Sequence, residues 1–176
     1  NRIKLKEKNN FILQVEKDEF IKKSLLGISK TRWVGRFEFF KYQNLLCVFD
    51  GSHNEEGIRE LIINLKPFHT MKKIITIFAC NKDKDYKSML EQISQVTDYF
   101  ILTESHVKIK AQNLEFMSEY LKFLNKDHKI VTDYSHTIDI ASKIVAEKGY
   151  KQNEVLVNIC GSLYLVGAIR ELVNKP

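Results

Sequence analysis

The chain has 176 residues, 44% of them apolar, and a formal net charge of +6. This composition supplies the core of one domain, or of one domain plus a piece of another, and argues against a disordered chain. No apolar run approaches the roughly 20 residues that a membrane helix needs, and no signal-peptide pattern opens the chain, so we expect no membrane partner.

The first 32 residues differ from the rest of the chain. Residues 11–15 are at best strand-like, and residues 18–26 have the pattern of a capped helix that Gly27 stops. Residues 1–36 hold ten Lys and Arg against four Asp and Glu, whereas the remaining residues balance at 18 against 18. A basic stretch of this kind is either a solvated surface, the commoner case, or an arm that binds nucleic acid. We expect the solvated surface and no nucleic-acid partner.

From residue 45 onward, strand-like and helix-like segments alternate. Short apolar runs at 45–49, 74–79, 99–102 and 155–160 are typical of strands buried on both faces, as a parallel sheet requires. Between them, apolar residues recur at helical spacing over 58–65, 86–93, 114–124 and 138–145, and a last helix is predicted over about 162–173. The alternation predicts an α/β fold: a Rossmann-like, mostly parallel sheet flanked by helices on both faces.

Three polar clusters follow predicted strands: "DGSHN" after Phe49, "NKDKD" after Cys80 and "GSLY" after Cys160. Ligands of open α/β sheets bind beyond the carboxyl ends of the strands, so these clusters are expected to converge on one site.

The first cluster has a plain structural interpretation. Ser52 and Glu55 have the spacing of a capping box, with Asn54 as the alternative cap. Capping leaves Asp50 and His53 unexplained, and a histidine so close to an aspartate at a strand end is as consistent with a binding site as with a structural role. Glu55 and the next glutamate repel a phosphate at this helix start, and the chain has no GxxxxGK[ST] or GxGxxG loop.

The other candidates also have two interpretations each. Lys82 is either a solvated loop lysine or the partner of a carboxylate. Ser162 either caps the last helix or offers its hydroxyl, beside exposed amides, to a carboxylate. Arg36, in "TRWVGRFEFF", is a surface arginine or a phosphate contact.

The cysteines exclude two further kinds of site. Cys47, Cys80 and Cys160 lie singly in apolar runs, which is typical of small buried residues in a reducing, cytoplasmic protein. No spacing indicates a zinc site, and no Ser/His/Asp or Cys/His arrangement indicates a nucleophilic enzyme. No metal ligand is predicted.

Taken together, "WVGRFE", "DGSHN", "KDKDY" and "GSLYLVG" occur in the order seen in the C-terminal domain of folylpolyglutamate synthase/dihydrofolate synthase, a relative of the Mur ligases. The chain resembles that family over about residues 18–176. Val34 stands in place of the usual proline and Ser52 in place of the usual alanine. "HVKIKA" replaces an N-P-R-A segment, so no function is carried over to Lys110.

The resemblance implies an ATP-dependent ligase that adds L-glutamate to folate or dihydropteroate through an acyl phosphate. It implies that Arg36 contacts the ATP phosphates and Asp50 the ATP sugar or its neighbourhood. It places His53 and Ser162, with Lys82 as a weaker candidate, at the glutamate. ATP and Mg²⁺ would be held mainly by an N-terminal domain, of which residues 1–32 would be the tail and linker, preceding a C-terminal domain over 33–176. Such a fragment is expected to be inactive alone and monomeric.

Two alternatives stay open at this stage. One is a Mur-type ligase acting on a cell-wall precursor. The other is a non-catalytic α/β binding module, for which the basic N-terminal stretch is the support.

Overall fold

The computed structural model describes residues 21–23 and 33–174. The chain divides into two compact units, residues 1–34 and residues 35–176. In the first unit, residues 21–23 are helical. The predicted strand at 11–15 lies outside the described residues, as does most of the predicted helix at 18–26. The remaining description concerns the second unit.

The second unit is built on a six-stranded sheet. Its strands are β1 (Glu38–Tyr42), β2 (Leu45–Phe49), β3 (Lys73–Phe78), β4 (Tyr99–Leu102), β5 (His128–Ile130) and β6 (Val155–Cys160). Their order is β1-β2-β6-β3-β4-β5, and all neighbours pair in parallel except β1, which is antiparallel to β2. The predicted mostly parallel α/β fold is confirmed.

Four helices of this unit connect strands, and a fifth follows the last strand. They are α1 (Glu55–His69), α2 (Tyr86–Ile93), α3 (Leu114–Phe123), α4 (Thr137–Glu147) and α5 (Leu163–Val173). Short 3₁₀ turns lie at Ser94–Val96, Lys108–Lys110, Tyr134–His136 and Gln152–Glu154. Four of these helices were predicted from their apolar spacing, and the last was predicted over about 162–173. Within the described residues, no helix is both long and apolar enough to cross a membrane.

The core has two halves, one on each face of the sheet. The buried faces of α1, α2 and α3 pack on one side, and those of α4 and α5 pack on the other. Strand β6 lies in the centre and is buried at every position. This burial on both faces explains why β2, β3, β4 and β6 are nearly continuous apolar runs.

The two edge strands were not predicted. Strand β1 alternates between partly buried and exposed positions, and β5 has three residues of which two are exposed. Neither edge strand has the continuous apolar run by which a central strand is recognised. Strand β1 pairs with β2, which follows it directly in sequence, and β5 pairs with β4 across the helix α3.

Candidate functional site

A cavity of about 630 Å³ lies at the carboxyl edge of the sheet. Its wall comes from the segments that follow four parallel strands: His53 after β2, residues 81–84 after β3, Ile109 and Lys110 after β4, and residues 161–164 after β6. The predicted convergence of "DGSHN", "NKDKD" and "GSLY" is therefore seen in the fold. His53, Lys82 and Ser162, each a candidate for glutamate binding, line the same cavity.

The cavity wall is predominantly cationic. Lys82, Lys84 and Lys110 contribute three ammonium groups, and among the described residues Asp83 gives the wall its one carboxylate. Lys84 and Asp83 pair at 3.1 Å between Nζ and Oδ2, and the hydrogen bond from Lys84 holds the pKa of Asp83 below its ordinary value. Lys82 makes no ion pair within the described part of the chain. An anionic ligand suits this wall.

Lys110 is one of the cavity residues to which the sequence interpretation gave no role. Its Nζ lies 3.3 Å from the hydroxyl of Tyr164 and 5.3 Å from the centre of that ring. Its carbonyl accepts a hydrogen bond from the amide of Lys82 at 2.9 Å, so the two lysines are tied together through the backbone. The signal was available in "HVKIKA", where a lysine stands near the arginine position of the resembled pattern.

Ser162 occupies the N-cap position of α5 without acting as a side-chain cap. No side-chain hydrogen bond caps this helix. The hydroxyl oxygen is buried and has no hydrogen-bond partner in the part of the chain that the structure describes, and the residue is only 2% exposed. Buried hydroxyls nearly always have partners, so an unpaired one in a cavity wall is a group available to a ligand. Oδ1 of Asn81, in the same wall, is also buried and without a partner.

His53 is held by one ring nitrogen and leaves the other available. Its Nδ1 lies 2.8 Å from the carbonyl oxygen of Gly51. A carbonyl can only accept, so Nδ1 carries the proton in this contact. In the neutral ring Nε2 is then an acceptor, which suits an ammonium or amine group of a ligand.

The helix α1 begins differently from the predicted capping box. Asn54 is the N-cap, and its side chain accepts a hydrogen bond from the amide of Gly57 at 2.8 Å. The predicted capping by Ser52 is wrong. Its hydroxyl lies within hydrogen-bond distance of two acceptors, the Asp50 carboxylate and the Gly57 carbonyl, and donates there. The alternative that Asn54 caps the helix is confirmed.

Asp50 and Arg36 do not line the cavity. Asp50 is 6% exposed, and its Oδ1 accepts hydrogen bonds from the amide and hydroxyl of Ser52. Its Oδ2 accepts from the amide of Phe37 at 2.9 Å. Arg36 precedes Phe37 and has an exposed side chain. Asp50 thus connects the end of β2 to the loop that carries Arg36.

The cysteines are buried, as predicted, and their thiols are deactivated by that burial. Desolvation raises the pKa of Cys47 to about 12 and that of Cys80 to about 12. Burial also raises the pKa of Cys160. A thiol is a weak nucleophile while protonated, so these residues supply no nucleophile. Over residues 21–23 and 33–174, no group of three or more His, Cys, Asp and Glu could hold a metal ion.

The fold and the cavity define an open α/β domain with a lysine-lined cavity at the carboxyl edge of its parallel strands. A family profile described as dihydrofolate synthetase, C-terminal domain, matches residues 36–172. The chain belongs to this family.

Two individual relatives are similar to this chain, and they carry different names. The chain is 28% identical over 145 residues to a dihydrofolate synthase/folylpolyglutamate synthase of Bacillus subtilis, and this match spans 82% of the chain and 31% of the relative. It is 27% identical over 138 residues to a UDP-N-acetylmuramoyl-L-alanyl-D-glutamate–2,6-diaminopimelate ligase of Alkaliphilus oremlandii, covering 70% of the chain and 28% of that protein. The chain therefore spans about a third of the length of these relatives.

The fold is shared with a solved structure. A folylpolyglutamate synthase of Mycobacterium tuberculosis, solved with ADP and AMPPCP, superposes with a TM-score of 0.75 at 20% identity. The match covers 85% of this chain and 34% of that protein. At this identity the likeness concerns the fold.

Proposed function

We propose that this chain is the C-terminal part of an ATP-dependent ligase that joins L-glutamate to a folate. The acceptor is a tetrahydrofolate, a dihydropteroate or both. Its carboxylate takes the γ-phosphoryl group of ATP and ADP leaves; the glutamate amine then attacks the acyl carbon of this acyl phosphate, loses a proton and displaces phosphate as the amide forms. The observation that carries this proposal is the cationic cavity with its unpaired hydroxyl, formed by the segments "DGSHN", "KDKDY" and "GSLY". Membership of the dihydrofolate synthetase family supports it.

Glutamate matches the cavity chemically. Glutamate carries two carboxylates and one amine. The wall of a glutamate site should therefore offer cations to the carboxylates and a hydrogen-bond acceptor to the amine. Lys82 and Lys110 supply the cations, and the Ser162 hydroxyl can donate to a carboxylate oxygen. The Nε2 of neutral His53 can accept from the amine, which would keep its lone pair directed to an incoming acyl group.

Arg36 and Asp50 belong to a second region of the proposed active site. The exposed guanidinium of Arg36 would contact the ATP phosphates, where a fixed positive charge stabilises a transferring phosphoryl group. Asp50 would lie close to the ATP sugar while its carboxylate keeps the neighbouring backbone in place. Mg²⁺ would be bound by other residues of the full-length protein, since the described residues offer no cluster of ligands for it.

The full-length protein that carries this chain provides the test. Radiolabelled L-glutamate is supplied with ATP and, in separate reactions, dihydropteroate or a tetrahydrofolate. We expect His53→Ala and Arg36→Ala each to reduce ligation by about hundredfold or more, as is usual for a lost transition-state contact. Lys87→Met, a lysine outside the cavity, is the matched control. Unchanged kinetics in both alanine variants would refute the assignment. Residues 1–176 alone should neither hydrolyse ATP nor ligate glutamate. For the full-length protein we propose a cytoplasmic location and a monomeric state.

A Mur-type ligase is the second candidate, and the diaminopimelate ligase relative favours it. The same assay decides between them when a UDP-linked cell-wall precursor and diaminopimelate replace folate and glutamate. Incorporation of diaminopimelate without incorporation of glutamate would establish the second candidate.

A further inference from the structure

The loop that presents Arg36 is tied down on both sides of that residue. The amide of Gly51 donates to the carbonyl of Gly35 at 2.7 Å, and the amide of Phe37 donates to Oδ2 of Asp50 at 2.9 Å. Both ties connect the loop to the end of β2. The residue between them, Arg36, has an exposed side chain.

The backbone of this loop is unusual. Gly35 has a φ of +69°, and Phe37, although it is not glycine, has a φ of +45°. A bulky residue rarely adopts a positive φ, because its Cβ crowds the following carbonyl. Such a conformation persists only where the surroundings over-determine it, and it is concentrated at functional sites.

An ion pair from the last helix completes the restraint. Glu38 receives a forked contact from Arg170 of α5, with Nε to Oε2 at 3.0 Å and Nη2 to Oε1 at 3.1 Å. The same Glu38 carboxylate accepts a hydrogen bond from the amide of Gly35 at 2.8 Å. Arg170 therefore acts on the loop through Glu38. The two partners are 132 residues apart in the chain.

The packing of α5 supports the same role. A Cβ built on Gly35 would lie 3.1 Å from Cγ1 of Val166, so the helix lies directly against this part of the loop. Val166 and Arg170 are four residues apart and share one face of α5. One face of α5 therefore contacts Gly35 through Val166. Through Arg170 the same face holds Glu38, whose carboxylate accepts the hydrogen bond from the Gly35 amide. The pair is also well oriented, because the guanidinium fork matches a carboxylate.

We propose that the Glu38–Arg170 ion pair is a positioning element that holds the Gly35–Phe37 backbone so that Arg36 is presented at the active site. The reaction in which Arg36 takes part is that of the proposed function, and this inference rests on it. Neither Glu38 nor Arg170 needs to touch substrate. Loss of the ion pair should leave the Arg36 side chain present but misplaced.

A double-mutant cycle in the full-length ligase tests the proposal. Arg170→Gln should lower kcat/KM for ATP by between about tenfold and about hundredfold, because small misplacements of a catalytic group have effects of this size. KM for glutamate should stay the same. In an Arg36→Ala background the same Arg170→Gln change should have no further effect on ligation, although it still lowers the melting temperature of the protein.

Two further variants serve as comparisons for the double-mutant cycle. Arg170→Lys keeps the charge but not the fork, so it should recover part of the loss. Lys148→Gln breaks the exposed ion pair with Asp127 and should leave ligation unchanged. The proposal is overturned if the losses of kcat/KM caused by Arg170→Gln and by Arg36→Ala multiply in the double variant. Two residues that act through one another do not have additive free-energy effects.

An independent measurement separates this inference from the proposed function. In residues 1–176, amide hydrogen exchange at Phe37 reports whether the loop is held. Arg170→Gln and Glu38→Gln should each accelerate that exchange by about tenfold or more, and Lys148→Gln should not. Unchanged protection of Phe37 in both variants overturns the positioning role. Accelerated exchange in a protein that ligates no glutamate would uphold the role and refute the proposed function.

Discussion

The sign of the stability change in Ser162→Ala separates the two interpretations of this residue. A serine that caps a helix through its side chain stabilises it, and its replacement by alanine costs about 0.5–2 kcal/mol. A buried hydroxyl without a partner does the reverse, because its desolvation costs about 1–3 kcal/mol that no hydrogen bond offsets. The Ser162 hydroxyl is buried and unpaired, and the residue is 2% exposed.

We therefore expect Ser162→Ala to raise the free energy of unfolding by about 1 kcal/mol, toward the lower end of that penalty. In a chain of this length the melting temperature should rise by about 2–4 °C. The variant should at the same time bind L-glutamate less tightly. Gained stability together with lost binding is the pattern of a polar group retained for a ligand.

Urea denaturation of residues 1–176, followed by circular dichroism, measures the free energy, and NMR titration with L-glutamate measures binding. Asn54→Ala and Asn113→Ala are the matched controls, since both side chains accept a hydrogen bond from the first turn of their helix. Each control should lose about 1 kcal/mol. If Ser162→Ala is destabilised as much as the two controls are, the hydroxyl has a partner within the chain and the reasoning is refuted.

Two further predictions concern the same molecule. Gly161→Ala should cost about 3 kcal/mol or more, since φ is +90° and the new Cβ would lie 2.3 Å from the carbonyl oxygen of Ala79. Gly149 also has a positive φ, but an added Cβ would meet no atom within 4 Å. Gly149→Ala should therefore lower the free energy of unfolding, measured by urea denaturation, by only about 1 kcal/mol. Equal losses in the two variants would contradict the clash at Gly161. The hydrogen bond from Arg170 lowers the pKa of Glu38 below its ordinary value of 4.5. Because the folded pKa is depressed, this pair stabilises the fold above the unfolded pKa, and that stability is lost as the pH falls through the folded pKa. Near neutral pH, Glu38→Gln should have a free energy of unfolding lower than that of wild type by up to about 1 kcal/mol, after allowance for partial exposure. This difference should disappear in acid. A difference that does not change with pH would exclude the ion pair as its cause.

The central strands and all five helices were predictable because burial leaves a local trace. A strand covered on both faces must be apolar throughout, and a helix covered on one face repeats every three to four residues. Placing "DGSHN", "NKDKD" and "GSLY" at one edge also followed from sequence, since the carboxyl ends of parallel strands meet there. The lone, apolar setting of Cys47 likewise predicted its inert thiol.

Other features of the site were not predictable because they depend on which of several possible hydrogen-bond partners the folded backbone brings within reach. Ser52 has the spacing of a cap, but the carboxylate of Asp50 takes its hydroxyl, so Asn54 begins the helix instead. Lys110 enters the cavity through pairing of its loop with the one after β3, as the contact of its carbonyl with the Lys82 amide shows.

The sequence by itself determined the fold class, the family and the edge of the sheet at which the polar segments gather. These follow from short-range periodicity and from ordered motifs, each of which a few neighbouring residues encode. Only the tertiary structure decided which polar atoms are already satisfied and which remain available. The Asp50 carboxylate is occupied by its own chain, whereas the Ser162 hydroxyl is buried without a partner. That distinction depends on distances that the folded backbone sets, and so does the contact between Arg170 and Glu38, which are 132 residues apart in the chain.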